Sequence, residues 1–400
     1  MAATSQLRMF LSAFGGAGHV FPVLALARRL RDRGHEVWVE TIERWREPTE
    51  ELGLRFVATP DYIALRVPQP GEPTRPTLAE VVRDRIPLMR ELRPDVVLND
   101  FLHVPASLAA EVVHLKRATL VPHPYPLNEP GLPYFRVNLL PARTPVGRAA
   151  WRLSRPWFAR RAREDRRELN YARRDVGLPP QSRLYGGISE HLALVATYPQ
   201  LEYPRPWPPG IHVTGPMLFE LPYPEIELPE GDGPLVLVAA STAQDHELKL
   251  VTTAIEAFEG EPLRVLVSLN QDGGTWPEPV PDNVTVVDWV SYSQVLPRAS
   301  LIVTNGGHGT VVRALSEGVP LVVCPAGGDM GENGARVAWS GAGVMVPWGL
   351  LGQGPLRWAA RSVLAEGRYA ARARSIADWG RRNEGAARGA ELLADYASRA

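Results

Sequence analysis

The sequence predicts an α/β protein built of two βα domains that face each other across a cleft. Three observations predict it. Short Val/Ile/Leu runs alternate with helical periodicity in both halves of the chain. A stretch rich in proline and acidic residues, "GPMLFELPYPEIELPEGDGP" at 215–234, separates the halves and reads as a linker. Glycine-rich loops follow strand-like runs at 15–18 and 306–309, at the strand ends where open α/β sheets bind ligands.

The elements follow in order. Arg8 to Ala13 reads as a strand, and the apolar spacing of Val23, Leu26, Ala27 and Leu30 predicts a helix over 20–33 that stops at Gly34. Further strands are expected at 36–40, 54–58, 96–99, 118–121 and 192–196, with helices at 77–92 and 104–115. Residues 122–150 are rich in proline and read as a long surface segment, and 151–175 as one basic helix with interleaved acids. Beyond the linker, strands are expected at 235–240, 263–269, 284–288, 300–304 and 321–325, and a last helix at 370–396. Such alternation implies parallel sheets covered on both faces.

Composition narrows the function. At 400 residues and 45% apolar content, each of two domains can bury a core. A net charge of zero gives no general affinity for nucleic acid or an anionic surface. One cysteine, Cys324, rules out an internal disulfide and a cysteine-based zinc site. No apolar run reaches membrane-spanning length, and the N-terminus is no signal peptide, so the expected location is the cytoplasm.

The loop Asn305-Gly306-Gly307-His308-Gly309-Thr310 joins an apolar run to a helical pattern. A helix N-terminus offers unpaired N–H groups and the positive end of a dipole, and bare glycines let an anion reach them. Thr310 can add a hydroxyl, and Asn305 and His308 stand beside the loop as donors. Other strand ends supply companions: Ser241 and Thr242 for phosphate, Trp289 in "DWV" with Val290 for a base, and Asp329 and Asn333 in "DMGEN" for hydroxyls, with Met330 beside them on the donor side. Readers of base, phosphate and hydroxyl together point to a nucleotide sugar.

The run from Trp289 through Asn333, with Gly318-Val319-Pro320 inside it, resembles the donor signature of inverting family-1 glycosyltransferases of the bacterial natural-product type. The resemblance extends over nearly the whole chain. It implies the GT-B fold: an acceptor-binding domain at 1–214, the linker at 215–234, a nucleotide-sugar-binding domain at 235–375, and a helix at 376–400 returning to the first domain. It implies that His19, in "GGAGHVFP", is the general base that removes a proton from the acceptor hydroxyl. A carboxylate behind the imidazole would fix its tautomer, and Asp100 at the end of "VVLND" is the candidate. Phe21 and His123 are assigned to the acceptor side. No Asp-x-Asp pair is present, so the expected reaction uses no metal and no cofactor, the nucleotide sugar being a co-substrate.

Three departures from the family pattern bear on the donor. Asn305 stands in place of a histidine, Arg313 in place of a glutamate that grips ribose hydroxyls, and Met330 in place of a glutamine that reads the sugar. These lean toward a dTDP-deoxysugar over a UDP-sugar, with a small hydrophobic natural product as acceptor. Acceptor contacts are expected from 60–75 and 122–150. Two alternatives stay open: a catalytically idle helper of the same fold, and a transferase for lipid acceptors that uses the basic helix with Trp151 and Trp157. A homodimer is left open as an assembly.

Overall fold

In the computed structural model the chain is described at residues 6–60, 76–127, 129–161, 163–183, 185–241, 244–271, 276 and 279–399. Thr242 and residues 61–75 of the expected acceptor segment lie outside the described residues.

The first half runs β1 (Arg8–Ser12), α1 (Ala17–Asp32), β2 (Glu36–Thr41), α2 (Arg46–Glu51), β3 (Arg55–Ala58), α3 (Leu78–Leu92), β4 (Val96–Asp100), α4 (Pro105–Val112), β5 (Arg117–Val121), α5 (Pro145–Arg161), α6 (Arg163–Asp175), β6 (Ala193–Val195) and β7 (Ile211–Val213). Its seven strands are parallel and ordered β3-β2-β1-β4-β5-β6-β7. The second half runs β8 (Leu235–Ala239), α7 (Lys249–Phe258), β9 (Arg264–Ser268), β10 (Val284–Val287), α8 (Tyr292–Val295), β11 (Leu301–Thr304), α9 (His308–Ser316), β12 (Leu321–Val323), α10 (Met330–Ser340), β13 (Gly343–Met345), α11 (Gln353–Ala365), α12 (Gly367–Arg382) and α13 (Gly385–Ser398). Its sheet is also parallel, ordered β10-β9-β8-β11-β12-β13.

The central strands VVLND, LVLVA and LIVT are buried along their whole length. That is why they read as continuous apolar runs rather than alternating ones. Each sheet reverses its strand order once, between β1 and β4 in the first and between β8 and β11 in the second. Open sheets hold ligands at the carboxyl ends beside such a reversal. The glycine loops at 15–18 and 306–309 follow β1 and β11, so both sit there.

Helix α1 buries Val20, Val23, Leu24, Leu26 and Leu30 in one core with Met9 and Leu11 of β1. Helix α3 starts at a capping box, in which Thr77 and Glu80 satisfy each other's main-chain N–H groups. The chain's last helix, α13, packs on α1: Ala386, Ala390 and Leu393 join the core of the first half. Gly389 faces Met217 so closely that a Cβ there would stand 2.6 Å from the methionine methyl. Ion pairs Arg29–Glu384 and Arg33–Glu391 border that contact in solvent, where such pairs add little.

Three expectations need revision, while the basic stretch is helical at 145–161 and 163–175, on both sides of residue 162, which lies outside the described residues. The final helix breaks at Asn383-Glu384, because Gly385 passes against the carbonyls of Gly215 and Pro216 at a distance that admits no Cβ. Strands β7 and β13 were missed, each being three residues long and too short to show a period. Residues 122–150 are no uniform surface segment: Pro122 to Pro126 are buried, as are Gly131, Pro133 and Phe135, and α5 begins at Pro145.

Candidate active site

His19 stands in the first turn of α1, and Asp100 is the last residue of β4, the strand hydrogen-bonded to β1. The fold therefore brings together two residues 81 positions apart, with His19 Nδ1 2.6 Å from Asp100 Oδ2. The carboxylate is fully buried, and its Oδ1 accepts the Leu102 main-chain N–H at 3.0 Å. With Nδ1–H donating to Asp100, the basic nitrogen is Nε2. Burial of the ring pulls its pKa down, but the Asp100 charge and hydrogen bond, helped by Asp329, more than offset this and hold it above the usual histidine value.

Beside the dyad lies a cavity of about 310 Å³. Its wall is largely aromatic and aliphatic: Phe101, Phe135, Leu169 and Tyr185 line it with His19 and His123, and Gly328-Asp329 enter from the second half. Four rings run in a row. His19 and Phe101 stack at 6.2 Å, Phe101 meets His123 edge-on at 4.5 Å, and His123 stacks on Phe135 at 5.3 Å. His123 Nδ1 donates to the Pro124 carbonyl at 2.7 Å, and burial lowers its pKa, so the ring is neutral. Phe21 lies elsewhere: it packs edge-on against Trp45 and Phe219, at 5.4 and 5.5 Å, and does not line the cavity. An aromatic facing an adjoining core is indistinguishable in sequence from one facing a ligand.

The glycine loop expected to hold the donor follows β11. Gly306 adopts φ +90°, and a Cβ there would stand 2.5 Å from Val323, so only glycine fits. Gly307 caps α9 and faces open space. The N–H groups of Gly309 and Thr310 in the first turn have no acceptor within the helix. Side chains around this loop turn inward more than the sequence suggested. Asn305 is buried; its Oδ1 accepts Ser241 N at 2.8 Å and its Nδ2 donates to the Cys324 carbonyl at 3.3 Å, tying three strand ends together. Asn333 is also buried, donating to the Gly306 carbonyl at 2.9 Å and to Asp329 Oδ2 at 3.1 Å. Both amides shape the loop from beneath instead of standing beside a ligand as donors.

His308 begins α9 with its ring buried, where burial and neighbouring His123 lower its pKa to about 4. Neither ring nitrogen makes a hydrogen bond of ordinary geometry, although Asn333 and the Ala196 main chain lie alongside. Trp289 stacks on Tyr223 of the linker, 5.8 Å apart and 10° from parallel, while Val290 is part of the core. Met330 is buried at the start of α10. Arg313 donates to the Phe219 carbonyl and lies 5.6 Å over Phe21 and 5.7 Å over Tyr292, so its charge serves the linker.

Sequence reasoning missed Phe101, Leu169 and Tyr185, and it did not single out Phe135 within 122–150, the stretch expected to supply acceptor contacts. Of the three missed, only Phe101 carried a signal, as the residue following Asp100.

Two facing parallel-sheet domains, each with a glycine loop at its strand-order reversal, give the GT-B architecture. The comparisons agree. Residues 9–119 match the glycosyltransferase family 28 N-terminal domain, and residues 251–386 match the erythromycin biosynthesis protein CIII-like C-terminal domain. The 4'-demethylrebeccamycin synthase of Lentzea aerocolonigenes is 30% identical over 93% of this chain and 95% of its own length. The O-mycaminosyltylonolide 6-deoxyallosyltransferase of Streptomyces fradiae is 30% identical over 93% of both. Among solved structures, glycosyltransferase VinC in complex with dTDP aligns with a TM-score of 0.71 and 20% identity, over 98% of this chain and all of that one. The chain belongs to the glycosyltransferases of bacterial natural-product biosynthesis, and it is a glycosyltransferase.

Proposed function

We propose that this glycosyltransferase moves a sugar, with inversion and without a metal ion, from a nucleoside-diphosphate sugar to a hydroxyl of a small hydrophobic natural product. The observation that carries the reading is the His19–Asp100 dyad, which borders an apolar cavity reached by Asp329 of the second domain. The acceptor O–H gives its proton to His19 Nε2 as the oxygen forms its bond to the anomeric carbon. The bond from that carbon to the diphosphate oxygen breaks on the opposite side, which inverts the configuration. Buried Asp100 stabilises the imidazolium that results. Charge growing on the diphosphate meets the first-turn amides of α9 at Gly309 and Thr310.

A dTDP-deoxysugar is the favoured donor. Arg313 is engaged with the linker and puts no carboxylate near a ribose diol, and Met330 presents no amide to sugar hydroxyls. A relative named as a 6-deoxyallosyltransferase and a dTDP complex of the same fold support that choice. A thermal-shift panel of dTDP, UDP, GDP and ADP tests it. Ligand at about a hundred times its dissociation constant stabilises the folded state by about 2.7 kcal/mol. The expected order is dTDP above UDP, with GDP and ADP near zero; UDP above dTDP would reverse the assignment.

A further inference from the structure

A buried charged network joins the two domains outside the catalytic pair. Arg336 of α10 is fully buried; its Nε donates to Glu332 Oε1 at 2.8 Å, and its Nη1 donates to Glu202 Oε2 at 3.0 Å and to the Leu201 carbonyl at 2.9 Å. Arg205 donates to the same Glu202 oxygen at 3.2 Å. Tyr203 lies flat against the Arg336 guanidinium, 4.2 Å from ring centre to charge. Two carboxylates and two guanidiniums thus neutralise one another away from water, an arrangement that tolerates little displacement of any member.

The unused oxygens of this network point to one place. Glu202 Oε1 accepts the main-chain N–H of Tyr125 at 2.6 Å, two residues after His123. Glu332 Oε2 accepts the main-chain N–H of Arg136 at 3.1 Å, one residue after Phe135. Arg136 Nε in turn donates to the Gly328 carbonyl at 3.3 Å, beside Asp329. Arg136 and Asn138 hold φ +68° and +63°, so this stretch turns sharply at α10. The Asn138 carboxamide occupies the space where a Cβ on Gly331 would stand, with its nearest atom within about a bond length or two.

We propose that Glu332 and Arg336 of the donor domain are positioning residues for the acceptor: they hold the segment carrying His123 and Phe135 in register with His19. The inference rests on the transferase reading above. It makes one wall of the acceptor cavity, although encoded in the first domain, a fixture of the donor helix.

The test compares parent protein with Glu332→Gln and Gly331→Ala. Glutamine can accept from Arg136 or from Arg336 but not from both as the carboxylate does. Alanine keeps every charge and favours the helix, while its methyl displaces Asn138. Two readouts are taken: dTDP affinity by calorimetry, and KM and kcat for 4-methylumbelliferone as a phenolic acceptor with dTDP-glucose as donor. Misplacing a wall by about 1 Å can cost up to about a hundredfold. The expected result is a rise in acceptor KM of about tenfold for Glu332→Gln and a smaller rise for Gly331→Ala, with dTDP affinity and hydrolysis of donor alone changed by less than about twofold. A merely structural role would lower dTDP affinity and acceptor affinity together, and that result overturns the proposal. So does an unchanged acceptor KM in both variants. A parent protein that binds dTDP yet transfers sugar to no hydroxyl sinks the transferase mechanism instead, and the two failures are thereby told apart.

Discussion

The two glycine loops are built alike but stand in opposite surroundings. Each follows a central parallel strand, opens a helix and places a histidine in its first turn: His19 in α1 and His308 in α9. What differs is the neighbouring strand end. Beside β1, strand β4 ends in Asp100, whose charge raises His19 despite burial. Beside β11, strand β8 leads to Ser241 and β12 to Cys324, and Asn305 ties these together without charge. His308 is left with His123 as its strongest electrostatic neighbour and falls to about 4. One junction therefore offers a side chain that can take a proton, and the other offers main-chain amides. The identity of one residue at the end of an adjoining strand decides which.

Breaking the first junction has the largest expected effect. His19→Ala should lower kcat/KM by about 10⁴-fold while dTDP affinity, measured by calorimetry, stays within about twofold. Parental turnover in that variant would remove the base from the scheme. Asp100→Asn should cost about 10³-fold, because the amide no longer stabilises the imidazolium. It also sharpens the contrast through pH. In the parent, kcat/KM should rise with pH to a midpoint above 6.5, since the base acts deprotonated and its pKa is raised. In Asp100→Asn that midpoint should move down; an unmoved midpoint would detach the carboxylate from the titration.

Changes at the second junction should be milder. Thr310→Val removes one hydroxyl donor and should weaken dTDP binding about threefold to tenfold, with kcat/KM following. The smallest effect concerns stability. His308 has a folded pKa below its unfolded value, so its contribution is present above pH 6.5 and is lost as pH falls from there through about 4. His19, raised in the folded state, contributes in the opposite sense: fully below pH 6.5, lost as pH rises through its folded value. Denaturant midpoints of parent and His308→Leu between pH 7 and 4 would show a shallower acid decline in the variant. Equal slopes would mean that the buried ring does not report on folding.

Much of the framework could be read in advance because its causes are local. Fully buried strands leave apolar runs, and glycines at 306 and 34 mark φ values that other residues avoid. His19 and Asp100 lie at the ends of such runs, but it was the family resemblance that gave them their expected roles. Direction was not legible. Nothing in the letters says that the carboxamides of Asn305 and Asn333 turn under the loop, or that Phe21 faces Trp45. Long-range partners were not legible either. Glu202 and Arg336 stand 134 positions apart, and each alone reads as an ordinary surface charge, yet both are buried.

The polypeptide passes between the domains twice, once through Gly215-Pro216 and once at Asn383–Gly385, and the two passages touch, with the Gly215 carbonyl against the α-carbon of Gly385. A single tether would act as a ball joint, free to swivel and slide. Two tethers laid side by side act as a door hinge, with one axis along their contact and little play across it. Cutting the chain before residue 383 would leave a single tether, and the expected result is a twist between the lobes that the paired tethers do not allow.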